Sequence, residues 1–226
     1  PSVIVTYFAV FLLFGLLAIY GQWVAQGIVE EKQSRVVEVL LSSIRPTELL
    51  AGKIAGLGLL GLAQVVLMGA VGVTGLLLTD SIDLTADGWR SLALVVPWYV
   101  LGFLLYAVMF AMAGAVVARV EDLQSAVMPV AGLLVLALLT ANIALGDPHS
   151  PVATVAGIVP FTAPIMQPIL LALGASSTVE VVLAIVLAVA AIAALIPLAG
   201  RIYRGGVLRT RGKVSYREAW GAARGR

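Results

Sequence analysis

Catalysis needs a nucleophile, an acid–base pair or a metal held at fixed spacing, and this chain offers few candidates. It has no cysteine and a single histidine, His149, which excludes thiolate chemistry, disulfides and a histidine metal cluster. Gly52-Lys53 is a Gly-Lys pair, but the upstream glycine of a phosphate-binding loop is missing and neither Ser nor Thr follows. HExxH and GxSxG are absent. Every Asp and Glu falls at the end of an apolar run or in a loop, so the buried acids of a proton relay or ion-coupled carrier are not there. The chemistry that remains is concentrated in one polar interruption, Glu30 to Lys53, EEKQSRVVEVLLSSIRPTELLAGK. Its residue types suit gripping a partner rather than making bonds.

Within that stretch, Val29, Val36, Val37, Leu40, Leu41 and Ile44 share one side of a helical wheel. Glu30, Glu31, Ser34, Arg35, Glu38 and Ser42 occupy much of the rest. Glu31 and Arg35 are spaced i,i+4 with the acid first, which supports a helix by about 0.2–0.5 kcal/mol. Ser42-Ser43 weakens it, Pro46 suits the first position of a new helix, and Glu48 lies at its third. The pattern predicts helix, sharp turn, helix, lying at a membrane surface as a cytoplasmic handle.

The elements that must hold this handle are apolar. The 226 residues are 61% hydrophobic and 12% charged, with a mean hydropathy of +1.07. Soluble domains carry about a quarter charged residues, so an integral membrane protein is expected, all-α, a polytopic bundle of helices. The net charge of +2 is too small to suggest a nucleic-acid partner. Spans are predicted at about 3–22, 49–78, 91–118, 125–145 and 179–200, with the polar handle at 30–48 and a basic tail at 201–226, all in one transmembrane domain 1–226. Tyr20 and Trp23 fall where an interfacial aromatic belt would lie. The first helix is expected to continue past the membrane through Gln26 and Glu30. Lys53 should snorkel to the interface, and Arg119-Val120-Glu121-Asp122 reads as a tight polar turn.

Residues 146–177 are long and apolar enough for another span, but Pro160, Pro164 and Pro168 recur every four residues and would break a continuous helix three times. A re-entrant or interfacial helical hairpin is expected instead. Ser177 with Glu180 then forms a capping box that opens the last span. With five spans, all 14 basic residues except Arg90 lie on one side, and the positive-inside rule makes that side the cytoplasm. The C-terminus is then cytoplasmic and the N-terminus outside. Pro1 opens directly into an apolar run with neither a basic leader nor a small-residue cleavage site, so a preceding part of a longer protein is expected.

Other polar positions carry two readings each. Gln64, mid-span, lines a substrate path or makes an inter-helix hydrogen bond. Asn142 reads likewise as path or structural glue, Gly52 and Gly56 form a GxxxG that could pack a helix pair, and His149 reads as a solvated loop residue. The tail either touches anionic lipid heads or enforces topology.

Glu30-Glu31-Lys32-Gln33-Ser34-Arg35, Val36-Val37-Glu38-Val39-Leu40-Leu41-Ser42-Ser43, Pro46, Glu48-Leu49-Leu50 and Gly52-Lys53 resemble the signature of ABC-2 type transporter permeases, most closely the sodium-efflux-type, NatB-like branch. Ile158-Val159-Pro160-Phe161-Thr162-Ala163-Pro164 looks like that family's Pro-Phe-[ST]-x-Pro element, and Arg201 to Leu208 resembles its exit into the cytoplasm. Arg45 stands where the family commonly has a capping Ser or Thr. The family's first span and the extracytoplasmic segment after it have no counterpart in these residues.

The resemblance implies a membrane subunit of an ABC exporter of the type V fold, itself non-catalytic, in the plasma membrane. It implies ABC ATPase subunits as partners, which carry the ATP and Mg, and a second permease chain in a homo- or heterodimer, all within membrane lipid. Glu30, Glu31, Lys32, Arg35, Glu38, Arg45 and Glu48 are then the expected ATPase contacts, and Gln64 and Asn142 candidate path residues. The cargo stays open between sodium, drug, peptide and lipid. The rival readings are a membrane anchor or scaffold that recruits some other cytoplasmic protein, and an ATP-independent channel.

Overall fold

The computed structural model describes residues 2–34, 45–78 and 86–207. They form seven helices: α1 (Ser2–Gln33), α2 (Pro46–Leu78), α3 (Ala86–Val116), α4 (Val120–Gly146), α5 (Pro151–Ile158), α6 (Ala163–Ala172) and α7 (Thr178–Val207). Among the described residues there is no strand. Five helices (α1, α2, α3, α4 and α7) are long and apolar enough to cross a membrane, as the hydrophobic runs predict.

The long helices overrun their apolar runs because nothing stops them at the interface. α1 is continuous through Gln33, carrying the start of the polar stretch rigidly on its end. α4 begins at Val120, earlier than the expected 125. Glu121 and Asp122 are not a turn but the first turn of α4, where acids complement the positive end of the helix dipole. The connection itself is only Val117 to Arg119.

α3 is the axis of the bundle. Along the 18-residue apolar window of its span 72% of the residues are buried, against 11% for the corresponding window of both α2 and α7. One face of α3 carries Tyr99, Phe103, Tyr106 and Phe110, all buried, at the i, i+4, i+7, i+11 spacing of a single helical stripe. Tyr99 and Phe103 stack with centroids 5.9 Å apart. Without a hydrophobic drive between helices in lipid, close packing supplies much of the attraction. These rings accordingly sit in notches at glycines of their neighbours, Phe110 against Gly21 of α1 and Phe103 against Gly58 of α2. α1 packs along α3 and α4, while α7 lies chiefly against α3.

Residues 146–177 form the expected helical hairpin, with a correction about its prolines. Pro160 alone lies in the break between α5 and α6. Pro164 is in the first turn of α6, where no intrahelical donor is needed, and Pro168 is accommodated inside that helix. Ser150 caps α5 by accepting a bond from the Ala153 amide at 3.3 Å. At the end of α6, Ala175 N donates to Leu170 O and Gly174 N to Leu171 O, a Schellman closure that needs a left-handed residue. Gly174 supplies it at φ 67°.

Inside the hairpin every prominent polar group is paired. The buried Gln167 donates to Gly157 O at 2.9 Å and accepts from Ser176 Oγ at 3.0 Å. Thr162 Oγ1 donates to Ala156 O at 2.6 Å, and Tyr106 of α3 donates to Phe161 O at 2.6 Å. The predicted capping box opens α7, with Ser177 N donating to Glu180 Oε2 at 2.7 Å and Glu180 N to Ser177 Oγ at 3.3 Å.

Candidate coupling site

One buried stripe of α1 organises the site: Leu17, Tyr20, Val24, Ile28 and then Lys32, at helical spacing. The stripe carries an ammonium into an apolar contact surface, with Lys32 only 6% exposed. Its Nζ donates to Ala115 O at 2.8 Å and to Val117 O at 2.7 Å. These carbonyls belong to the last turn of α3 and the residue beyond it, where a helix leaves acceptors unpaired and its dipole is negative. Charge-assisted bonds of this kind are worth about 1.5–3 kcal/mol each. Lys32 was expected on the partner-facing surface; the structure turns it inward.

The reach of Lys32 depends on how closely α1 and α3 cross. A Cβ on Gly114 would stand 2.6 Å from the Ala25 carbonyl oxygen, so only glycine permits this approach of the two backbones.

Glu31, the neighbouring residue, faces α2. Its Oε1 pairs with Lys53 Nζ at 2.8 Å, so Lys53 does not simply snorkel to the interface. Gly27 makes the room, since a Cβ there would lie 2.7 Å from the same Nζ. The second carboxylate oxygen of Glu31 is buried without a hydrogen-bond partner among the described residues. Glu30 is exposed and accepts from Gln26 Nε2 at 2.7 Å. Ser34 closes α1 by donating its amide and hydroxyl to Glu30 O, each at 2.9 Å.

On the other side of the turn, Arg45 and Glu48 are exposed. The Arg45 amide donates to Glu48 Oε2 at 3.0 Å. This is half of a capping box; the reciprocal bond needs a side-chain acceptor that arginine lacks. Arg35 and Glu38 lie outside the described residues. Between α1 and α2 an open groove of about 620 Å³ is lined by Trp23, Gly27, Glu31, Glu48, Lys53 and Leu57 among others. Gly52 and Gly56 border it with nothing among the described residues within reach of a Cβ, so their GxxxG is unpacked by those residues.

The same end of the bundle gathers the other termini. Lys32 brings the end of α1 to the end of α3, and Gly200 of α7 lies against Thr47 at the start of α2. Arg119 and Arg201 are both exposed. Residues beyond 207 in the basic tail lie outside the described residues.

The two candidate path residues are not brought into one site. Gln64 accepts from Tyr20 Oη at 2.7 Å, an α1–α2 bond, with Trp23 edge-on to Tyr20 at 5.1 Å. Nearby, the buried Tyr99 hydroxyl has no hydrogen-bond partner among the described residues and rests against Gly61. Asn142 is exposed on α4 and donates to Leu138 O of its own helix at 2.8 Å. His149 is exposed, its amide bonded to Asp147 Oδ1 at 3.2 Å. No group of three or more His, Asp or Glu residues able to hold a metal occurs among the described residues.

The inward role of Lys32 was missed by reading charge as surface. The signal was slight: Lys32 lies three residues after Val29 and four before Val36, at the border between the apolar and polar sides of the same wheel. The Tyr20–Gln64 and Glu31–Lys53 bonds join residues distant in sequence and had no local signal beyond their types.

Comparison with known proteins bears on this arrangement. Residues 2–201 match the family model described as ABC-2 family transporter protein. The chain is 28% identical over 212 residues to the uncharacterized protein YhaP of Bacillus subtilis (strain 168), covering 89% of this chain and 51% of that protein. It is 26% identical over 202 residues to the uncharacterized protein MJ1024 of Methanocaldococcus jannaschii, covering 88% and 48%. The chain thus spans about half the length of the curated relatives it matches. No solved structure matches it. With five membrane-length helices and a family match running from α1 into α7, this multi-pass membrane chain belongs to the ABC-2 family of transporter proteins.

Proposed function

We propose that the chain is the membrane-spanning permease part of an exporter driven by separate ABC ATPase subunits, which carry the ATP and Mg. The observation that carries this reading is the convergence of the α1 end, the α2 start and the α3 end at one polar pole of an ABC-2 family bundle. There the stretch 30–48 acts as a coupling helix seated on the ATPase. Glu30, Arg35, Glu38, Arg45 and Glu48 form its partner-facing set, while Glu31 and Lys32 fasten it to the bundle. A charged face gives the partner directional contacts, and a helix continuous with a membrane span passes on a rotation when the ATPase dimer closes.

The wide apolar faces of α2 and α7 suit lipid and a second permease chain, identical or related. The positive pole faces the cytoplasm of a plasma membrane by the positive-inside rule, and the C-terminus lies there. The sodium-efflux-type resemblance puts sodium among the cargoes, beside drugs, peptides and lipids. The mid-bundle polar groups Tyr20, Gln64 and Tyr99 are all neutral, which favours a cargo recognised by hydrogen bonds and apolar surface.

Reversing two charges tests the reading. The full-length protein carrying Arg35→Glu and Glu38→Arg should insert in the membrane normally. Reconstituted with its ATPase, it should lose most of the permease-stimulated ATP hydrolysis. Unchanged stimulation would return the chain to a membrane anchor or an uncoupled channel.

A further inference from the structure

Lys32 is a buried cation in a region expected to face a partner, and its bonds run to α3 rather than outward. We propose that Lys32 is the joint that makes α3 turn with the coupling helix, so that α1 and α3 move as one body and α2 follows through lighter contacts. This deepens the exporter reading and rests on it.

The joint is stiff because opening it strands several groups at once. A buried ammonium without acceptors is costly, and so are the end carbonyls of a helix left unpaired. A second fixed point lies two turns earlier on α1, where the Ala25 carbonyl meets Gly114 backbone to backbone. The two points are about 10 Å apart along α1, so the pair resists twisting as well as pulling. Both lie near the end of α3, and α3 in turn touches α7, α4 and α6. A movement delivered there spreads to the whole bundle.

The link from α1 to α2 has a different character. Lys53 and Glu31 are 15% and 24% exposed, so water reaches this pair more readily than it reaches Lys32, which is 6% exposed. α2 contributes only Leu50 and Val65 to the buried hydrophobic residues described. It can therefore lag behind or part from α1 while α3 cannot.

The test uses the full-length protein bound to its ATPase in lipid nanodiscs. Ser34 and Arg119 are exposed and this chain has no native cysteine, so Ser34→Cys and Arg119→Cys accept spin labels across the joint. Their separation is measured without nucleotide and with the ATPase trapped by ADP and vanadate, alongside the mobility of the Ser34 label.

With Lys32 present the separation should agree between the two states to within about 2 Å, the size of ordinary interface shifts. Lys32→Arg, which keeps donors for both carbonyls, should behave the same way. Lys32→Met should let the separation differ between states by more than that. Should Lys32→Met fail to assemble, Lys32→Gln with its single amide donor group carries the comparison and should give an intermediate difference.

A constant separation in the Met or Gln variant, with the Ser34 label still responding to nucleotide, overturns the joint and leaves the exporter reading standing. A separation that already changes by more than about 2 Å with Lys32 in place overturns the joint as well. No nucleotide response at Ser34 in any variant overturns the exporter reading and the joint with it.

Discussion

Two glycines of the same bundle should respond to alanine with opposite signs. At Gly114 a methyl group meets the Ala25 carbonyl oxygen at 2.6 Å, and neither backbone can give way cheaply. Gly114→Ala should lower stability by about 1–3 kcal/mol, the range for overpacking. At Gly52 nothing among the described residues lies within 4 Å, so Gly52→Ala should raise stability by about 0.5–1 kcal/mol through helix propensity alone. Thermal unfolding in detergent reads both; a Gly114→Ala variant no less stable than the parent would mean that the α1–α3 crossing is looser than described. The composition hides this difference, since 23 glycines look alike until the neighbouring helix is in place. Lys32 teaches the same lesson in another form. Its position at the border of the wheel's apolar side is readable from spacing, but its acceptors lie 83 and 85 residues away, and no local pattern names them.

At the scale of elements, the five long helices were legible because a bilayer imposes a run of about 20 apolar residues. The hairpin of α5 and α6 was legible through its prolines, but which proline breaks the chain was not. That depends on where each ring falls relative to a helix start, and Pro164 happens to occupy a first turn. The start of α4 was misplaced for a related reason. Glu121 and Asp122 look like loop residues by charge, yet a helix N-terminus favours acids. The hairpin's rigidity rests on Gln167, which bonds Gly157 on one side and Ser176 on the other. Gln167→Leu should leave both partners unsatisfied and cost about 1–3 kcal/mol, read as a lower melting temperature and faster proteolysis between α5 and α7. Gln64→Leu, by contrast, removes one α1–α2 bond and should cost about 0.6 kcal/mol, the average for hydrogen bonds between membrane helices. An equal cost for the two would contradict the view that the hairpin is rigid and α2 lightly held.

For the whole molecule, all-helical architecture, span number and membrane class followed from composition and charge placement. The exposure of the described charges between 30 and 48 followed only in part. Glu30, Arg45 and Glu48 are exposed as a contact surface requires, whereas Glu31 and Lys32 are engaged inside the chain. Sequence alone sorts charged residues by type, and only packing tells which ones a neighbouring helix has claimed. The bundle that results has a tightly built centre in α1, α3 and the hairpin, with α2 and α7 at its margin. The central claim is that an ATPase drives this bundle through residues 30–48. The most direct measurement is purification of the tagged full-length protein from native membranes in mild detergent, with the co-purifying proteins identified by mass. The account predicts a soluble ATPase at one-to-one stoichiometry, lost when Arg35 and Glu38 are reversed together. Absence of any ATPase, under conditions that keep other ABC complexes intact, would contradict it.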